Sequence, residues 1–254
     1  MSAYLAKVAL VLAAMLSLSR SLPALAEDLA PTDKKMLILS AAGPRFGAVE
    51  VSFTAHNFSI KNNLGNSIWS DKNPDFLNVC HLENASYMKQ TVRQYASDRG
   101  NHHGHSGAKR VEVKNVKLAD GHTGKQTTSI MDSHRRRSSN EQKTLSVNNV
   151  KLPPAMIAAW NLIMNAPDEK DLVVDLASSK GRHEEDDSSS VSKRGQLRHQ
   201  VEFRSLKLVP LQPERFTIPK NFKEAKDVGS FYFSPSGQEL KKTDIDDLFR
   251  TAPK

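Results

Sequence analysis

VEVSFTAHNFSIKNNLGNSIWSDKNPDFLNVCHL, residues 49–82, decides how the rest of the chain is read. Val49, Val51 and Phe53 alternate with polar neighbours, and that period of two marks a strand with one buried face. Asn62-Asn63-Leu64-Gly65-Asn66 carries turn chemistry, because Asn and Gly tolerate the backbone angles of a tight reversal. Phe58–Lys61 and Ser67–Ser70 flank it as two further strands, and Phe76–Leu82 follows a Pro-Asp turn as another. Short strands joined by tight turns make a meander.

Downstream the pattern continues. Arg110–Leu118, Lys125–Met131, Lys143–Val147 and Leu172–Leu176 read as strands, and Leu197–Val209 as the longest. Leu197, Val201 and Phe203 share one face of that last strand, whereas Leu206 and Leu208 share the other, so a bulge is expected near Ser205. Pro153-Pro154 opens the clearest helix, because proline is tolerated in a first turn whose N–H groups have no partner. Met156, Ile157, Trp160, Ile163 and Met164 form its apolar stripe, and Pro167 ends it. Tyr87–Ser97 has Met88, Val92 and Tyr95 at helical spacing, and Thr243-x-x-Asp246 opens a short terminal helix. No internal repeat is visible. The expected class is α+β, mainly β: a single curved antiparallel sheet, half-barrel-like, with a buried helix at 153–165 and short accessory helices.

The N-terminus reads as an export signal. Lys7 precedes the apolar run Val8–Leu16, and Ala24-Leu25-Ala26 offers the small-x-small site of signal peptidase. The run is too short for a membrane span, and no later segment is apolar enough for one. Residues 1–26 are therefore expected to be removed, leaving a soluble product in the periplasm or outside the cell. Glu27–Lys35 reads as a short mobile start. Residues 27–48 are assigned as an N-terminal lead and 49–254 as one domain, with polar loops near 98–109 and 181–195.

Cutting after Ala26 leaves 228 residues, enough for a proper core. The single cysteine, Cys80, excludes an internal disulfide framework, so packing must supply the stability. Aromatic residues at 6% argue against a stacking surface for sugars or single-stranded nucleic acid, and export makes a nucleic-acid partner less expected still. Charge is uneven: Lys109–Lys151 has a net charge of +6, whereas Asp168–Asp187 has −5. Such asymmetry describes surfaces and partners, not the fold.

Catalytic chemistry finds little footing. His102, His103 and His105 have ligand character, yet no second set of ligands on rigid elements can be named beside them, and a solvated loop is the simpler account. Gly104-His105-Ser106-Gly107 misses the spacing of a nucleophile elbow, and His183-Glu184-Glu185 lacks the second histidine of a zincin helix. Cys80 lies in an apolar strand, where an inert thiol is the default. No phosphate loop or dinucleotide fingerprint is present. Neither a catalytic set nor a cofactor is assigned, and enzyme is the weaker class. Arg135-Arg136-Arg137 fits anionic headgroups through guanidinium–phosphate pairing, although charge runs are ordinarily solvated faces.

Two stretches carry a resemblance. VEVSFTAHNFSIKNN and NSIWSDKNPDFLNVCHLENASYMKQT, at 49–63 and 66–91, are similar to the opening meander of uncharacterised bacterial envelope proteins related to the outer-membrane lipoprotein carrier. KLPPAMIAAWNLIMNAP, LVVDL and VPLQPERFTIPKNFKEAKD, at 151–167, 172–176 and 209–227, resemble that group's later parts. The resemblance rests on pattern and covers about half of the chain after residue 26. It implies a half-barrel whose concave side, closed by helices, holds acyl chains; it brings no motif of functional residues. The first expectation is an exported binding module for an apolar or lipid-like ligand, with Met156, Ile157, Trp160, Ile163 and Met164 lining its cavity. The alternative is an envelope interaction protein that contacts anionic surfaces through the basic segment 109–151 and has a solidly packed interior. The sequence leaves the oligomeric state open.

Overall fold

The computed structural model describes residues 29–44, 47–98, 109–118, 120–133, 138–179 and 198–233. A first run of strands, β1 (Lys35–Gly43), β2 (Gly47–Phe53), β3 (Asn57–Lys61), β4 (Gly65–Ser70), β5 (Phe76–His81) and β6 (Ser86–Thr91), is an antiparallel meander. A second group comprises β7 (Lys109–Lys117), β8 (Thr123–Ser133), β9 (Ser138–Val147), β10 (Leu172–Ser178) and β11 (Arg198–Pro210). With β12 (Lys223–Glu224) they form one open, curved sheet in the order β12-β6-β5-β4-β3-β2-β1-β11-β10-β9-β8-β7. Three short helices accompany it among the described residues: α1 (Val92–Asp98), α2 (Pro154–Ile163) and α3 (Val228–Phe233). The mainly β, α+β class is thus as expected. The sheet is mixed, because β12 pairs with β6 in parallel.

Segment 27–48 is not a lead ahead of the domain. It contains β1, which lies in the middle of the sheet and joins the two groups by pairing with β2 on one side and β11 on the other. Met36, Leu37 and Leu39 are fully buried. Leu37, Leu39 and Ala41 share the buried face, while Ile38, Ser40 and Ala42 opposite them are half-buried, so KMLILSAAG shows an apolar run rather than a polar period of two. Leu29 is fastened as well: its N–H donates to Asn149 O at 2.9 Å, and its carbonyl accepts from Lys151 N at 3.1 Å.

The register explains the core. Leu37 faces Phe53, Phe53 faces Phe58, Phe58 faces Trp69 and Trp69 faces Leu77 across successive strands, so one row of large side chains crosses the sheet. Gly65 starts β4 where a Cβ would come within 1.8 Å of Cys80 O, so only glycine permits that strand spacing. The anticipated irregularity in β11 is present: Ser40 pairs with Ser205 but Ala41 with Phe203, leaving Arg204 extra. The stretch Tyr87–Ser97 splits into strand and helix. Tyr87–Thr91 belongs to β6, and only Val92 onward is helical. Thr91 and Gln94 form a reciprocal capping box there, each backbone N–H donating to the other's side chain at 3.1 Å.

After β11 the chain straps the sheet. A 3-10 turn, Pro213–Phe216, crosses β3 and β4, where Arg215 pairs with Glu50, donates to Ser52 Oγ at 3.2 Å and accepts from Asn66 Nδ2 at 2.9 Å through its carbonyl. β12 then lines up beside β6, and α3 docks with its Phe231 carbonyl accepting from Asn84 Nδ2 at 2.8 Å. The expected helix from Thr243 lies outside the described residues.

Candidate functional site

Helix α2 sits against the aromatic row. Trp160 meets Phe53 and Phe58 edge-on at centroid distances of 6.0 and 6.4 Å, and Phe58 stacks on Trp69 at 5.2 Å. The Trp160 indole N–H donates to Val173 O at 2.7 Å, so even its polar atom is satisfied inside the protein. Met156 and Ile163 are fully buried, Trp160 and Met164 nearly so, and Ile157 is partly buried against the same cluster. The stripe expected to line a cavity therefore packs as core. The volume it faces is filled by Phe53, Phe58 and their neighbours, side chains supplied by strands about a hundred residues earlier.

Asn161, which the sequence does not single out, is fully buried in the same helix. Its Nδ2 donates to Glu169 O and Asp171 O, both at 2.9 Å, and its Oδ1 accepts from Val173 N at 3.1 Å. One amide thus organises the connection from α2 to β10. That connection reaches the basic strands: Glu169 Oε1 lies 3.3 Å from Arg110 of β7, and Asp171 Oδ2 lies 3.1 Å from Lys125 of β8. A small polar cleft of about 190 Å³ opens here between Arg110, Gln142, Thr144 and the 165–169 turn.

A second cleft, of about 210 Å³, lies over β4, β5 and β6 between α1 and α3. Leu64, Val79, Tyr95, Phe231 and Tyr232 give it apolar walls, and His81, Gln90 and Asp98 give it polar ones. His81 Nδ1 is buried without a hydrogen-bond partner, and the ring packs edge-on to Phe231 at 5.8 Å. Neither cleft is lined by the α2 stripe.

The basic segment 109–151 supplies three adjacent strands at one end of the sheet, β9, β8 and outermost β7. Every residue of β7 except Val116 is exposed, and Val111 and Val113 are 56% and 52% accessible. The turn between β7 and β8 folds onto β11: Leu206 N donates to Asp120 Oδ2 at 2.9 Å, and Leu206 O accepts from His122 Nε2 at 3.2 Å. Arg135, Arg136 and Arg137, and likewise His102, His103 and His105, lie outside the described residues.

Cys80 is buried, and burial pushes its thiol up to about 11, well away from nucleophilic behaviour. Asp175 of β10 is held above the ordinary carboxylate range by burial, an effect opposed by the Phe203 N–H it accepts at 2.9 Å and by His199 at 3.2 Å. Among the described residues no group of three or more His, Cys, Asp and Glu side chains is arranged to hold a metal ion, and no helix is long and apolar enough to cross a membrane. These features define a class, an α+β protein built on an open curved sheet with a packed interior and a basic outer edge. In comparisons with known proteins, no family model matches the chain, and no curated protein does.

Proposed function

We propose that this chain is an exported, non-enzymatic interaction protein of the envelope that contacts anionic partners through its basic segment, residues 109–151. The observation that carries the reading is the pairing of a solid interior with an open, basic outer strand. Trp160 and its stripe pack directly on Phe53 and Phe58 beneath α2, whereas β7 is exposed along its length except at Val116. Long-range attraction between such a strand and an anionic surface is screened by salt, so the reading makes a definite demand. The mature chain should sediment with vesicles containing 30% anionic phospholipid at low salt, release at high salt, and ignore neutral vesicles. Lys109→Glu with Lys117→Glu should abolish retention; retention indifferent to salt and to these changes overturns the reading.

The second reading is the apolar-ligand module, in keeping with the resemblance to lipoprotein-carrier relatives. Its support is the cleft over β4–β6 with Leu64, Val79, Tyr95, Phe231 and Tyr232 on its walls. At about 210 Å³ it falls below the usual range of ligand pockets, so it suits a short chain or ring rather than a full acyl chain. Native mass spectrometry of the purified protein tests it. A bound small amphiphile lost in Tyr95→Glu supports the module, and a ligand-free native protein removes it.

A further inference from the structure

We propose that the outer edge of β7 docks an extended, acidic polypeptide segment of a partner protein, which adds to the sheet as a further strand. This rests on the reading of 109–151 as the contact surface and names what that surface takes. The backbone is the first argument. β8 pairs with β7 in unbroken register from Glu112 to Lys117, so along that stretch alternate N–H and C=O groups on the other side of β7 point away from the sheet. Among the described residues no strand pairs with them, although other exposed edges are treated differently. Leu206 on β11 has its N–H and carbonyl taken by Asp120 and His122, and β6 is flanked by β12. A register irregularity at Val111 interrupts β7, and the regular stretch beyond it, Glu112–Lys117, offers an edge about 17 Å long at ordinary strand rise and contains no proline.

Charge selects the occupant. β7 carries four basic residues against one acidic, a net +3, so it repels a second copy of itself and attracts an acidic strand. Arg110 is engaged with Glu169 and Lys114 with Glu112, whereas Lys109 and Lys117, at the two ends, form no ion pair among the described residues. Val113, more than half exposed within the regular stretch, offers apolar contact to a side chain of an incoming strand. A lipid headgroup would satisfy the lysines but leave the backbone ladder unused; a peptide satisfies both.

A labelled ten-residue peptide alternating Glu with Val is the probe, titrated against the mature chain. Binding should slow amide exchange within 109–117, weaken by about tenfold as salt rises from 50 to 500 mM because the attraction is screened, and vanish for the same peptide N-methylated at alternate residues. The N-methylated peptide keeps every charge and loses the ladder, so undiminished binding overturns strand addition. Anionic vesicles binding while the peptide does not would overturn this inference but leave the broader surface reading intact; failure of both removes both. Sedimentation showing a dimer that protects β7 would assign the edge to a second copy instead. Exchange-protected β7 amides in the free chain, released when Glu184, Glu185, Asp186 and Asp187 are replaced by Ser, would assign it to this chain's own acidic stretch; either result refutes the partner.

Discussion

Replacing Asn161 with Ala should destabilise the protein by about 3 kcal/mol, taking roughly 1 kcal/mol for each hydrogen bond lost. The side chain is fully buried and makes three such bonds, two to carbonyls at 2.9 Å and one from Val173 N–H at 3.1 Å. Alanine leaves the Val173 donor and the Glu169 and Asp171 acceptors without this partner, in a position water reaches poorly. Asn161→Asp separates the two roles of the amide. Its carboxylate still accepts from Val173 N–H, but it cannot donate to the carbonyls and places negative charge against both. It should be at least as damaging as alanine at neutral pH. Urea unfolding followed by tryptophan fluorescence is a direct assay, because both indoles, Trp69 and Trp160, are buried beside the affected turn or the row it packs on. An Asn161→Ala change below about 1 kcal/mol would refute the reasoning, since it would mean the three bonds contribute less than one typical bond together. The same substitution should loosen Glu169, the partner of Arg110, and speed amide exchange at the start of β7.

Further outcomes follow from individual contacts. Gly65→Ala forces a Cβ against Cys80 O and should lower the urea midpoint more than Gly47→Ala, whose Cβ meets nothing and which bears only the cost of about 1–2 kcal/mol of its left-handed φ of +63°; equal effects would count against the β4–β5 spacing. Trp160→Ala should cost about 3–5 kcal/mol as a core truncation, whereas an effect under 1 kcal/mol would indicate a site at the surface. Asp175 titrates higher folded than unfolded because burial disfavours its charge, so the folded state binds the proton more tightly. Its contribution is therefore most favourable in acid and is lost as pH rises from the ordinary carboxylate range through its raised folded value. Asp175→Asn should remove that part of the pH dependence, and an unchanged profile in chemical denaturation across pH 4–7 would exclude it. Cys80, buried with its thiol near 11, should resist a thiol-reactive dye at pH 8 until the protein unfolds; rapid labelling of the native chain would contradict its burial.

How much was legible from residues alone depended on whether the signal was local. The alternation of Val49, Val51 and Phe53, the Asn-rich turn before Gly65, the double proline ahead of α2 and the phase change at Ser205 all act within a few residues. They specified strands, turns, helix and bulge because steric and hydrogen-bonding preferences of that kind need no distant partner. β1 escaped for the opposite reason. Leu37, Ile38 and Leu39 are apolar in succession, and only the central place of β1 between β2 and β11 explains that run. Tertiary structure also decided what the α2 stripe does. Helical period says that Met156, Trp160 and Ile163 point inward, but whether they meet a void or a filled core depends on Phe53, Phe58 and Trp69. The buried role of Asn161 and the outermost place of β7 among the described strands were likewise hidden, because both depend on which backbone groups the fold brings together.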